Sequence, residues 1–429
     1  MIAPGGVTGA VRHDQPGEDG IRILSTNQPV GLVDQGSQAP VGTIQTDAPA
    51  PSDRGRLVGL DGLRGLAALY VVLFHCRLYT ISGFPANRGP AWLDWLMYGR
   101  LAVVFFLMLS GFSLAISAAA NGWQLGGLLR FARRRAWRIL PPYWAALVFS
   151  LIIAVAIVPA SHFGPPTNKS VVVYGLLLQD IVWAPTPNGT FWSIGIEAEL
   201  YLVFPLLLVL RRRLGAVVLL AAAFLPVVVL GLLAPNGNPE EGLNGLTPHL
   251  APIFAAGVVA AGVISASDRI RRLPWHWLAA LAAAPVVLLI VAKGSVWTVQ
   301  HYFWIDLALG PAMAMLLAAV ATGRPGALVR ILATRLMRSL GSYSYSLYLI
   351  HLPIIMVIAR RLAPEFVDRG LPAFWFTLIL GVPISLFAAW LFSRVFEIPF
   401  QRYRSWASLG SAVRSQYARR HQGIAVKNS

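Results

Sequence analysis

Charge is what this sequence has least of. Asp, Glu, Lys and Arg make up 12% of its 429 residues and hydrophobic residues 56%, whereas a soluble domain carries roughly 25% charge. Such a chain cannot wet the surface of a water-soluble globule, so ordinary cytosolic enzymes and disordered chains are excluded. Cysteine is almost absent. The single Cys76 excludes an internal disulfide and a paired-thiol metal site. It directly follows His75, but helix neighbours point about 100° apart, so Cys76 reads as small helix packing and not as half of a nucleophilic pair. Also missing are a phosphate-cradling glycine loop, a nucleophile elbow and an HExxH zinc motif. ATP-driven transport therefore has no support, and no bound metal is expected.

What is present is apolar length. Residues 1–53 are rich in Gly, Pro, Gln, Asp and Thr and read as a disordered tail. No signal peptide's apolar stretch occurs there, so the first membrane helix is expected to act as the uncleaved insertion signal. About ten runs of roughly 20 residues follow, placed near 58–78, 97–118, 141–160, 191–210, 214–234, 249–266, 275–292, 302–322, 341–360 and 372–396. The predicted fold is all-α: a polytopic membrane helix bundle over 54–400, with the tail before it and a basic tail, 401–429, after it. A net charge of +17 would suggest nucleic acid in a soluble protein. Here the basic residues cluster between spans and fall about three to one on the side of the N-terminal tail, which puts both termini in the cytoplasm and makes the bilayer, not nucleic acid, the partner. The long outer loop 161–190 is expected to hold a short helix lying at the outer surface or dipping into the protein.

Ionisable groups inside spans are costly in lipid and become candidates for function. In the first span, LDGLRGLAALYVVLFHC, Arg64 and His75 lie about three turns apart, hence on nearly one face. A lone histidine on an apolar helix is ordinarily a packing residue, but the aligned arginine points to a shared polar cavity. Asp61 is expected to cap this helix. In the fourth span Ser193, Glu197 and Tyr201 share a stripe at i, i+4, i+8, with Trp192 beside them and Glu199 pointing elsewhere. Glu197 reads either as half of a salt bridge, to Arg64 or Arg100, or as a carboxylate that orients a catalytic imidazole. The run RFARRRAWRILPPYW supplies Arg133, Arg134, Arg135 and Arg138, which serve topology or grip phosphates. The ninth span adds Ser346 and His351, the histidine reading equally as packing or as cavity.

These segments together resemble the acyltransferase-3 family of membrane-bound O-acyltransferases, which modify bacterial surface sugars and some secondary metabolites. The marks are LDGLRG with Arg64 and His75, FFLMLSGF at 105–112, RRAWRILPPYW at 134–144, FWSIGIEAELYLVFP at 191–205, GSYSYSLYLIHLP at 341–353 and FEIPF at 396–400. The resemblance implies an enzyme of the bacterial plasma membrane that moves an acyl group, expected to be acetyl, from acyl-CoA to a hydroxyl of a sugar or glycosylated acceptor. It makes His75 the essential histidine with Arg64 as partner, Arg135 and Arg138 the Arg-x-x-Arg element, and Glu197 the acid that follows Trp192 and Ser193. No permanently bound cofactor is implied, and no esterase-like domain is expected after residue 400. The expected chemistry is general-base attack through His75, with phosphates on Arg133–Arg138 and Glu197 orienting the imidazole. Arg64 would bind CoA or stabilise the oxyanion. The rival reading is a transporter or flippase with His, Arg and Glu lining its path.

Overall fold

Among the described residues every regular element is a helix. The computed structural model describes residues 57, 59–158, 164–237, 239, 246–403, 411 and 414. The expected disordered tail, 1–53, lies outside the described residues, as does most of the basic tail from 401 onward. The apolar runs become α1 (Leu60–Thr80), α2 (Gly99–Ala120), α3 (Leu128–Ala156), α5 (Trp192–Leu233), α6 (Leu250–Ala260), α7 (Trp275–Gln300), α8 (Tyr302–Ala321), α10 (Ser344–Val357) and α11 (Leu371–Phe392). The long loop between α3 and α5 carries the short helix α4, Asn168–Gly175, and α9, Arg335–Ser342, leads into α10.

Seven helices are long and apolar enough to cross a membrane, by length and composition. The ten expected runs are nevertheless all present. α5 has 42 residues, about 63 Å of helix or twice a hydrocarbon core of about 30 Å, and it breaks at Gly215 (φ 87°, ψ −179°) just beyond Arg211–Arg213. Its two halves are the fourth and fifth runs. The other two are α1, whose Asp61, Arg64 and Arg77 make it more polar, and the shorter segment Leu250–Ser265. Leu202 and Val217 on α5 are 81% and 80% exposed, as suits a helix facing lipid.

One boundary differs clearly from expectation. α3 starts at Leu128 rather than near 141, so the basic run is helical and Pro141 and Pro142 lie inside the helix. Arginine is a good helix former whose stem packs while its head stays wet, and a membrane bundle tolerates internal proline. Because the run is helical, Arg135 and Arg138 share a face.

α1 is the central strut, packed against α2, α9, α10 and α11. Its Leu60 and Leu63 join one apolar cluster with Met108, Phe112, Phe204, Phe254 and Leu317. Its Ala68, Val71, Val72 and Cys76 join a second with Tyr143, Phe191, Leu347 and Ile350. The glycines of LDGLRG have a packing reason. A Cβ on Gly62 would stand 2.4 Å from the Leu332 carbonyl oxygen and one on Gly65 2.8 Å from the Gly341 nitrogen, while a Cβ on Gly341 would stand 2.0 Å from the Asp61 carbonyl oxygen. α1 and α9 thus meet backbone to backbone, the contact that small residues permit in membranes.

At the far end, buried Asn188 ties the entry of α5 to two other helices. Its Nδ2 donates to Ser150 Oγ (3.0 Å) and the Leu349 carbonyl (2.9 Å), and its Oδ1 accepts from Thr190 N (3.0 Å) and Thr190 Oγ1 (2.8 Å). Gly341→Ala is expected to destabilise the purified protein by about 1–3 kcal/mol, as overpacking does, read as a lower thermal unfolding midpoint in detergent. An unchanged midpoint would refute the close backbone contact.

Candidate active site

The polar residues of five helices meet in one place. α1 carries Arg64, α2 Ser110 and Ser113, α3 Arg135 and Arg138, α5 Ser193, Glu197 and Tyr201, and α10 Tyr345 and Tyr348. With Asp61, Glu397 and Gln401 they line a cavity of about 160 Å³ whose apolar wall is Val103, Phe106, Leu107, Ile139 and Ile194. Three guanidinium groups therefore share this space with three carboxylates.

Each acid has its own partners. Arg64 Nη1 bonds Asp61 Oδ1 (3.1 Å) and Nη2 donates to Ser113 Oγ (2.5 Å). Asp61 sits in the first turn of α1, two residues after Gly59 at the N-cap position, where it pairs with Arg64. Glu197 Oε1 accepts from Ser110 Oγ (2.7 Å) and Tyr201 Oη (2.5 Å). The salt bridge expected from Glu197 to Arg64 or Arg100 is replaced by these hydroxyls. Arg100 turns to Asp306 (3.2 Å) and to His249 Nε2 (3.2 Å), and it stacks on Trp192 at 5.3 Å. That cluster joins α2 to α8 and takes Trp192 with it. Arg135 Nε is buried without a hydrogen-bond partner among the described residues.

His75 and His351 are not part of the cavity lining. Both are buried, at 9% and 0% exposure, and they touch each other: His351 Nε2 lies 3.1 Å from His75 Nδ1. His75 Nδ1 also lies 2.8 Å from the Val71 carbonyl, and His351 Nδ1 lies 2.8 and 3.0 Å from those of Leu347 and Tyr348. The side chain in hydrogen-bond contact with His75 is thus His351, while Glu197 bonds Ser110 and Tyr201. Tyr348 joins the two regions. It lines the cavity, its hydroxyl meets Ser193 Oγ at 2.6 Å and the Thr190 carbonyl at 3.0 Å, and its ring stands 6.1 Å from that of His351. Arg64 and His75 share the face of α1 as predicted, but only Arg64 reaches the cavity.

Of the remaining sequence candidates, Arg133 and Arg134 are exposed and away from the lining, and Ser346 is used structurally. Its N and Oγ donate to Glu397 Oε2 at 3.2 and 2.5 Å, while Gln401 donates to Oε1 at 2.8 Å. Ser346 lies in the first turn of α10, so Glu397, from the π-helical turn Ser393–Glu397, satisfies an orphan N–H of another helix. Sequence reading missed Glu397, Ser110, Ser113 and Tyr348. The rule that singled out Glu197 would have found Glu397, a carboxylate in the apolar run FEIPF. Glu397→Ala is expected to cost about 0.5–2 kcal/mol, the range of a lost helix cap, and Glu397→Gln to retain most of it. Equal unfolding midpoints for the two variants would argue against this capping.

Comparison with known proteins places these observations. The Acyltransferase domain family, acyltransferase-3, matches residues 57–394. The chain is 25% identical over 378 residues to YrhL of Bacillus subtilis, provisionally named a peptidoglycan O-acetyltransferase, covering 81% of this chain and 56% of that protein. It is 28% identical over 375 residues to Acyltransferase MdmB of Streptomyces mycarofaciens, covering 81% and 92%. It is 23% identical over 390 residues to O-acetyltransferase OatA of Staphylococcus aureus, covering 85% and 60%. The chain therefore spans little more than half of YrhL and OatA but nearly all of MdmB. No solved structure matches it.

Proposed function

The chain belongs to the acyltransferase-3 family, and from that premise we propose that it is an O-acyltransferase moving an acetyl group from acetyl-CoA to a carbohydrate hydroxyl. The observation that carries this reading is the cavity in which Arg64, Arg135 and Arg138 converge beside the buried histidine pair. A CoA donor brings several phosphate charges, and planar guanidiniums in a partly dry site bind them strongly. The orphaned Arg135 Nε offers a donor that such a ligand would satisfy. The basic end of α3 faces the cytoplasm in this proposal, where acyl-CoA is made, and both termini lie on that side.

Arg64 sits with the other two arginines, apart from His75, which favours donor binding over oxyanion stabilisation. Glu197, held by Ser110 and Tyr201, balances positive charge in the same cavity. The thioester reaches His75 past Tyr348, the residue that borders both regions. There the acceptor hydroxyl gives its proton to His75 as its oxygen attacks the thioester carbonyl. The C–O bond forms, the C–S bond breaks, and the proton leaves with the CoA sulfur. The peptidoglycan acetylation in the provisional name of YrhL makes a cell-envelope glycan the first acceptor to test.

Arg135→Ala and Arg138→Ala are each expected to weaken acetyl-CoA binding about tenfold or more, the scale of a lost charge-assisted hydrogen bond. Binding equal to the parent in a direct titration would remove the phosphate grip. His75→Ala is expected to fold and to lose about 10²- to 10⁴-fold in transfer, the range of general-base contributions. The function is tested by mass spectrometry of envelope glycans and metabolites from parent and deletion strains. An acetyl increment absent from the deletion identifies the acceptor, whereas identical spectra together with solute uptake lost in the deletion would favour a transporter.

A further inference from the structure

Two imidazoles in hydrogen-bond contact inside an apolar bundle must settle which nitrogen carries each proton, and the surrounding acceptors decide it. His351 Nδ1 faces two carbonyl oxygens, of Leu347 and Tyr348. Carbonyls only accept, so this nitrogen carries the hydrogen and Nε2 of the neutral ring is a lone pair. That lone pair is directed at His75 Nδ1, 3.1 Å away. His75 Nδ1 must then be the donor, its hydrogen shared between His351 Nε2 and the Val71 carbonyl at 2.8 Å. The basic nitrogen of His75 is therefore Nε2. His351 has both nitrogens engaged and is fully buried, whereas His75 retains 9% exposure.

The geometry points to His351 as a positioning residue for the proposed transfer: by accepting from Nδ1–H it fixes the ring and tautomer of His75, so that Nε2 faces the substrates as the base. This rests on the assignment of His75 as base. The acceptor's hydroxyl proton passes to Nε2 while the C–O bond forms, then to the departing sulfur as the C–S bond breaks. His351 neither gains nor loses a proton. Its hydrogen bond strengthens while His75 is an imidazolium, because a charged donor makes the stronger bond. A second histidine here takes the part that a carboxylate or backbone carbonyl takes beside other working imidazoles.

The test uses the purified full-length protein labelled with ¹⁵N-histidine. Imidazole NMR is expected to show Nδ1–H on both rings and a through-hydrogen-bond coupling between His75 Nδ1 and His351 Nε2, lost in His351→Leu. A proton on His351 Nε2 would overturn the assignment. In a deletion strain complemented to equal protein level, His351→Leu is expected to lower the acetyl-ester increment about 10- to 100-fold, the usual cost of removing a group that orients another. His351→Gln, which presents an acceptor oxygen near the place of Nε2, is expected to restore most of it. If His351→Leu does not accumulate, His351→Asn, too short to reach His75, replaces it with the same expected loss. Parent-level ester from His351→Leu or His351→Asn beside none from His75→Ala overturns the dyad alone. Parent-level ester from His75→Ala overturns the base assignment and the dyad with it.

Discussion

A polar group in a hydrocarbon layer has no water to bond, so it is answered from within the protein or carries a large penalty. The arrangement of this bundle follows from that constraint. Arg64 is answered by Asp61 and Ser113, Glu197 by Ser110 and Tyr201, Glu397 by Ser346, and His75 by His351. Most of these bonds cross from one helix to another. Apolar contacts between membrane helices have little directional preference because lipid tails are equally apolar. The polar bonds therefore fix which face of each helix turns inward, and they collect on the same side of α1.

The backbone contact between α1 and α9 works with them. Because Gly65 and Gly341 lack side chains, the first turns of α1 come close enough to α9 for Arg64 to enter the cavity beside Gly341. About three turns beyond Arg64, α1 packs on α10 and brings His75 to His351. One helix thus carries a cation to the cavity at one end and an imidazole beyond it at the other. Tyr348 stands between them, bonded to Ser193. In the transfer proposed above this division would suit two substrates that differ in charge, a CoA donor whose phosphates would engage the arginines and a neutral sugar hydroxyl that would need only a base. Glu397 supports the same arrangement indirectly by holding the first turn of the helix that carries Tyr348 and His351.

Much of this was legible in the residues. Ten apolar runs, the shared face of Arg64 and His75, the stripe of Ser193, Glu197 and Tyr201 and the pairing of Arg135 with Arg138 all follow from helical periodicity, which is local. The bundle and its membrane character were determined by the sequence in the same way, because a low charge fraction and spans of bilayer length leave few other folds. Partner choice was not local. Glu197 read as the salt-bridge partner of Arg64 or Arg100 or as the imidazole's companion, and although Tyr201 stands one turn along the same helix, nothing there showed that Ser110 would join it or that Arg100 would go to Asp306. His351 is 276 residues from His75. Only the tertiary structure decided that they meet, because helices in lipid find their neighbours through small-residue contacts and reciprocal hydrogen bonds that no single span contains.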